Sequence, residues 1–187
     1  MRALRVRVFL PLLVLMLTAT PCAAAQPRRI PLDAREQAFI AQATADDAMQ
    51  IELAKLAMMK SGDQRLRALA SKIISDHTAL NLQFAQLAAA AGSKGHAHGI
   101  PPRDISAMKA HLQALQGEAF DQAFAGMMVK EHHKIIAAYE VAAKTSADAR
   151  LRTIAARGVP VLQEHLDEAA ALMKEGGAAE KAGRAAQ

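Results

Sequence analysis

Apolar residues, chiefly alanine, leucine and methionine, recur with helical spacing along most of the chain, and short polar or glycine-containing segments interrupt them. Runs of β-branched residues are almost absent, and alanine and unbranched side chains lose little conformational freedom in a helix. The pattern therefore predicts an all-α protein. Long helices are expected at about 33–60, 64–91, 118–144 and 146–175, with a short helix at about 104–116.

Local signals place the helix ends. Asp33 followed by Glu36 forms a capping-box pattern at the first helix, and Gly92 is placed to end the second. Pro160 lies inside the last helix, where it removes a hydrogen bond and predicts a kink or a break. The glycine- and alanine-rich tail, 176–187, is predicted to be disordered.

The lengths of the connections predict how the helices are arranged. Short breaks join the first long helix to the second and the third to the fourth, whereas a longer connection that carries the minor helix joins the two pairs. This order is typical of a ferritin-like four-helix bundle with one crossover. We expect such a bundle over residues 33–175, with the short extra helix within the crossover.

The first 25 residues have the pattern of a secretory signal peptide. Three arginines precede an apolar run, and a triplet of alanines that ends at Ala25 provides a small-residue cleavage site. The run is shorter than the roughly 20 residues that span a bilayer, and no later segment of the sequence resembles a membrane span. We expect a Sec-type signal at 1–25, cleavage after Ala25, a linker at 26–32 and a periplasmic or secreted protein.

The position of the single cysteine decides whether the mature protein contains a thiol. Cys22 precedes the expected cleavage site, so the mature chain has no cysteine, which excludes disulfides and cysteine catalysis. Acylation of Cys22 in a lipoprotein is the alternative. It fits poorly because Pro21 directly precedes the cysteine.

The charge of the chain gives little support to nucleic-acid binding. Lys and Arg number 23 against 18 acids, and loss of the three leader arginines lowers the net charge from +5 to +2. The remaining basic residues are spread along the helices, and the aromatic residues that would stack on bases are scarce. We therefore expect no nucleic-acid partner.

Three histidines occur in the same helical setting, in the segments IISDH, MVKEH and VLQEH. His77, His132 and His165 each have mainly apolar residues three, four and seven positions away, so each is expected to face the interior of the bundle. The first helix has no histidine. Its Glu52 lies on a stripe of alanines, methionines and a leucine, and we expect this carboxylate to face inward as well.

Buried polar groups need partners, because an unpaired one costs about 1–3 kcal/mol and a buried carboxylate costs more. The four side chains at 52, 77, 132 and 165 would satisfy one another around a single cation. Imidazole nitrogens with one carboxylate suit zinc, iron or copper. The alternative is a hydrogen-bonded network without metal that fixes the helix register.

Four longer segments form a recognisable set: AMQIELAKLA (48–57), IISDHTALNLQFAQLA (73–88), MMVKEHHKIIAAYE (127–140) and VPVLQEHLDEAAAL (159–172). They resemble the DUF4142 family of exported bacterial helical-bundle proteins. The resemblance covers about 36–174 and implies export and a ferritin-like fold. It carries the recurrent positions of the family onto Glu52, Asp76, His77, His132, Glu140, Pro160 and His165.

The sequence departs from the di-iron enzymes of ferritin-like fold, which use Glu-x-x-His pairs. The residues three positions before the histidines are Ile74, Val129 and Leu162, and none of them can bind a metal. The hypothesis is therefore a non-catalytic bundle with a single-ion site, in metal handling or envelope stress protection. A redox enzyme with the same metal is a weaker alternative.

Other polar residues have simpler interpretations. His133 and Glu140 share one face of a helix and are expected to form a partly solvated pair. His96 and His98 lie in an expected surface loop, and Tyr139 is expected to pack in the core.

Overall fold

The computed structural model describes residues 31–92 and 102–185 and forms five α-helices in these ranges. They are α1 (Ala34–Lys60), α2 (Gln64–Ala91), α3 (Pro102–Gln113), α4 (Gly117–Thr145) and α5 (Ala149–Ala185). The all-α prediction is confirmed. Residues 1–30, which include the expected signal peptide and most of the linker, and the loop residues His96 and His98 lie outside the described ranges.

The predicted caps are present at the ends of the first two helices. The Asp33 carboxylate accepts a hydrogen bond from the Glu36 backbone N–H at 2.8 Å, and the Asp33 N–H donates to the Glu36 carboxylate at 2.9 Å. Asp63, which was not predicted as a cap, caps α2 by accepting from the backbone of Arg65 at 2.7 Å. Gly92 ends α2 with φ of 74°, a left-handed conformation that glycine adopts without steric cost.

The four long helices form a closed bundle. α1 packs on α2 and α4, and α5 packs on α2 and α4, while α3 packs against α1 and α4. Contacts at the two ends give the helix directions. The Asp148 N–H, before α5, donates to Glu36 near the start of α1, whereas Arg65 near the start of α2 pairs with Glu175. The directions are therefore up, down, down and up for α1, α2, α4 and α5.

Two buried apolar clusters fill the interior. One lies toward the start of α2 and includes Leu53, Leu69, Phe124 and Met128. The other lies toward the end of α2 and contains an aromatic group in its centre, where Phe39, Phe84 and Tyr139 meet edge to face at 5.3–5.9 Å. Between the clusters lies a layer of buried polar side chains: Asp47, His77, His132 and His165.

The last helix differs from its prediction at its C-terminal end. α5 continues to Ala185, through most of the tail that was predicted to be disordered. It is also continuous through Pro160, so of the predicted kink or break the break does not occur. Alanine, lysine and glutamate in that tail favour helix strongly enough to extend a helix that tertiary contacts have already nucleated. Near Pro160, Gly158 permits a close approach, since a Cβ there would lie 2.7 Å from Cε1 of Tyr139.

Candidate functional site

Three imidazole rings meet at the centre of the bundle. His77 comes from α2, His132 from α4 and His165 from α5, and all three are fully buried. Their ring centroids lie 5.3–5.6 Å apart, and one ring nitrogen of each lies within 4.8 Å of one ring nitrogen of the other two. The prediction that these histidines share the interior is confirmed.

One nitrogen of each ring has a hydrogen-bond partner outside the triad. Nδ1 of His77 lies 2.6 Å from Oδ1 of Asp47. The Nδ1–H of His132 donates to the carbonyl oxygen of Met128 at 2.9 Å, and the Nε2–H of His165 donates to Oδ2 of Asp76 at 3.0 Å. These partners fix the orientation of the rings. For His132 and His165 the partner is a carbonyl or a carboxylate oxygen, so the ring proton sits on the nitrogen that faces it, the outer nitrogen.

The inner nitrogens of His132 and His165, which face the centre of the triad, therefore carry lone pairs. Nε2 of His132 lies 3.2 Å from Nδ1 of His165, although each of these rings already holds its one proton on the opposite nitrogen. Nε2 of His77 is buried and has no hydrogen-bond partner among the described residues. Two lone pairs at such a distance repel each other unless a positive charge lies between them.

Burial prevents the histidines from supplying that charge by taking up a proton. Desolvation lowers the pKa of His132 to about 3 and the pKa of His77 to about 4, and it lowers the pKa of His165 as well. The neighbouring imidazoles lower the pKa of His132 further, since two adjacent imidazolium ions repel. At neutral pH the triad is consequently a set of neutral imidazoles, the form that binds metal ions.

The partner of His77 is a residue that the sequence did not single out. Asp47 is fully buried in α1, and burial raises the pKa of its carboxyl group to about 8. Its Oδ2 atom and both amide atoms of Gln50, one turn along α1, have no partner among the described residues. Aspartate is a poor helix former in a helix interior, and this placement was the available signal that Asp47 has a specific partner.

Glu52 is not part of the cluster, and the prediction that its carboxylate faces inward is wrong. Its side chain is 42% exposed, and it pairs with Lys55 at 2.8 Å and with Lys109 at 3.5 Å. The hydrogen bond from Lys55 lowers the pKa of Glu52, which keeps it ionised in solvent. The stripe used for the prediction lies at the border of the buried face: Ala45, Met49 and Leu56 are buried, whereas Ala48 and Met59 are exposed.

The remaining predicted positions lie at different depths. His133 and Glu140 are exposed on the outside of α4. Tyr139 is buried in the aromatic group, and burial raises the pKa of its hydroxyl, which has no partner among the described residues. Asp76 lies at the edge of the site with 28% of its side chain exposed.

The raised pKa of Asp47 predicts a pH-dependent stability in metal-free protein. Folding raises this pKa from about 3.8 to about 8, so the folded state holds a proton that the unfolded state has released, and stability is lost as pH rises through this interval. We expect the stability advantage of Asp47→Asn over wild type to grow by about 1.5 kcal/mol between about pH 6.5 and pH 8. The histidine contributions cancel in this difference, because both proteins carry them.

Urea denaturation in the presence of a chelator, at half-unit pH steps, measures this difference. Asparagine is the matched change because its amide oxygen can still accept a hydrogen bond from His77 while no proton is exchanged. A difference that stays constant across the interval would mean that Asp47 is already ionised at its lower end.

No helix in the described part of the chain has both the length and the apolar character needed to cross a membrane.

Comparison with solved structures identifies a similar fold. The chain matches a crystal structure of a DUF305 fragment from Deinococcus radiodurans with a TM-score of 0.70 and 18% sequence identity, over 78% of this chain and 99% of that one. At this identity the likeness concerns the fold alone. No curated protein matches the sequence.

A sequence family matches most of the chain. Residues 20–172 match the family described as "Domain of unknown function (DUF4142)", a range that contains α1 to α4 and the part of α5 that carries His165. The chain therefore belongs to the DUF4142 family.

Proposed function

We propose that this protein is an exported helical bundle that binds one transition-metal cation through His77, His132 and His165, in metal handling or stress protection at the cell envelope. The observation that best supports metal binding is the 3.2 Å separation of Nε2 of His132 and Nδ1 of His165, two atoms that hold lone pairs and no proton. A cation between them would turn their repulsion into coordination. The signal-peptide pattern of residues 1–25 supports the exported location.

The spacing of the nitrogens suits a first-row metal. Two histidine nitrogens bound to one tetrahedral zinc at about 2.0–2.1 Å are about 3.3 Å apart. The pair on α4 and α5 already has this spacing, and the third nitrogen, on α2, lies within 4.8 Å and needs a shift of about 1.5 Å or less. Zinc, iron and copper all accept imidazole ligands, so the donor set defines a class of metal.

The hydrogen-bond partners that the three rings have outside the triad also support metal binding. Histidines that bind metals usually donate the other ring N–H to a carboxylate or a backbone carbonyl, which orients the ring and raises its basicity. The Met128 carbonyl and Asp76 are two such acceptors, and the carboxyl group of Asp47 holds the corresponding position beside His77. Asp47 contacts the outer nitrogen of His77, so it would orient this ligand.

One observation favours a second candidate, a structural network without metal. Asp47 and His77 form a neutral buried pair at neutral pH, because burial raises the pKa of Asp47 and lowers that of His77. Such a pair in the middle of a bundle would fix the register of α1 against α2, since a shift by one turn would leave both groups without partners.

Elemental analysis distinguishes the two candidates. Purified protein is incubated with Zn²⁺, desalted and measured by mass spectrometry of the elements. We expect about one zinc per chain in wild type and in His133→Ala, and none in the triple variant with alanine at the three histidines. Circular dichroism checks that the triple variant is folded. A folded wild-type protein that retains no zinc would contradict metal binding and leave the structural network.

A further inference from the structure

Each ring of the triad has one hydrogen-bond partner outside the triad. These three partners lie at different depths, and only one of them is partly exposed to solvent. Asp47 and His77 are both fully buried, and His132 contacts a backbone carbonyl inside α4. Asp76, the partner of His165, has 28% of its side chain exposed. Among the contacts of the triad, the shortest connection between the imidazoles and water therefore runs through Asp76, where α2 faces α5.

An ion-pair cluster covers this connection. Nζ of Lys72 lies 3.3 Å from Oδ2 of Asp76 and 2.9 Å from Oε2 of Glu164, so the ammonium group links α2 to α5. The same Oδ2 atom of Asp76 accepts the hydrogen bond from His165. Lys72 is 33% and Glu164 is 64% exposed, and ion pairs with this exposure contribute at most about 1 kcal/mol, so this one opens readily.

We propose that Lys72, Asp76 and Glu164 form a cation port, the route by which a divalent cation reaches the histidine triad. This inference rests on the proposed function. Glu164 and Asp76 attract the hydrated cation, and Lys72 is a repulsive charge on the same route. A cation at Asp76 would compete with His165 for Oδ2, so the hydrogen bond between them would have to break before the cation passes inward.

The port makes a kinetic prediction that a structural ion pair does not make. Lys72→Gln is expected to speed Zn²⁺ loading about fivefold to tenfold, the effect of removing one charge several ångströms from a divalent cation in water. Glu164→Arg is expected to slow loading about tenfold or more, since it changes the local charge by two units. Both effects should shrink at high salt, because added ions screen exposed charges.

Lys134→Gln is the matched control. Lys134 pairs with Glu131 at 2.9 Å, and Glu131 directly precedes His132 on α4 as Asp76 directly precedes His77 on α2. The control lysine is thus also close in sequence to a histidine of the triad, but it lies on α4, whereas the port residues lie on α2 and α5. Its removal should leave the loading rate within about twofold of wild type.

Stopped-flow mixing of metal-free protein with Zn²⁺ and a chromophoric chelator measures the loading rates, and elemental analysis measures the final occupancy. Faster loading of Lys72→Gln with unchanged loading of Lys134→Gln supports the port. Equal rates for wild type, Lys72→Gln and Glu164→Arg, or equal acceleration in both lysine variants, would overturn it while metal binding stands. A wild-type chain that binds no zinc would overturn the proposed function and the port together.

Discussion

His132→Ala is expected to weaken Zn²⁺ binding more than a hundredfold. Loss of a group that only orients a ligand costs about tenfold to a hundredfold in metal affinity, and loss of a ligand itself should exceed that. His132 faces both other members of the triad, because its inner nitrogen lies 3.2 Å from that of His165 while its ring contacts His77 edge to face. Removing it leaves two ligands on separate helices.

Competition with a chromophoric chelator gives the affinities, and the adjacent histidine gives the control. His133 is exposed on the same turn of α4, so His133→Ala should bind zinc within about twofold of wild type. Asp47→Asn should fall between the two, about tenfold to a hundredfold weaker, because an amide cannot ionise to support a metal-bound His77 as a carboxyl group can. Equal affinities for the His132 and His133 variants would place the metal elsewhere on the chain.

Phe84→Ala is expected to lower the free energy of unfolding by about 3–5 kcal/mol, the usual cost of removing a buried phenylalanine from a packed core. Phe84 is fully buried, and it contacts the rings of Phe39 and Tyr139 edge to face at 5.9 Å. In a chain of this length the melting temperature should fall by about 6–20 °C.

Leu82→Ala is the matched control for this substitution. Leu82 lies two residues away on α2 with 59% of its surface exposed, and its truncation should change stability by no more than about 0.5 kcal/mol. Urea denaturation of the three proteins measures both values. A loss below about 1 kcal/mol for Phe84→Ala would mean that the aromatic group is not a packing centre.

The sequence predicted those features that depend on local chemistry or on strong periodicity. The capping box at Asp33 and the glycine end of α2 are local signals, and both are present. The three histidines were placed in the interior because each has large apolar neighbours on its own face, such as Ile73 and Phe84 around His77. Large side chains on one face leave little freedom in how a helix is rotated.

The orientation of α1 could not be predicted in the same way. Alanines occur on several faces of this helix, so its apolar pattern does not fix which face is buried. Glu52 was therefore expected inside and is exposed, whereas Asp47 was overlooked and is fully buried. The partner of Asp47 lies 30 residues away on another helix, and a contact between helices is decided by packing that no local pattern records.

The crossover separates the bundle into two helical hairpins, α1 with α2 and α4 with α5, and such hairpins are units that two copies of a chain can exchange. His77 belongs to the first hairpin, whereas His132 and His165 belong to the second. A cation held by all three would join the hairpins of one molecule, and exchange would require its release. Metal loading would thereby oppose domain-swapped dimers and favour the monomeric fold.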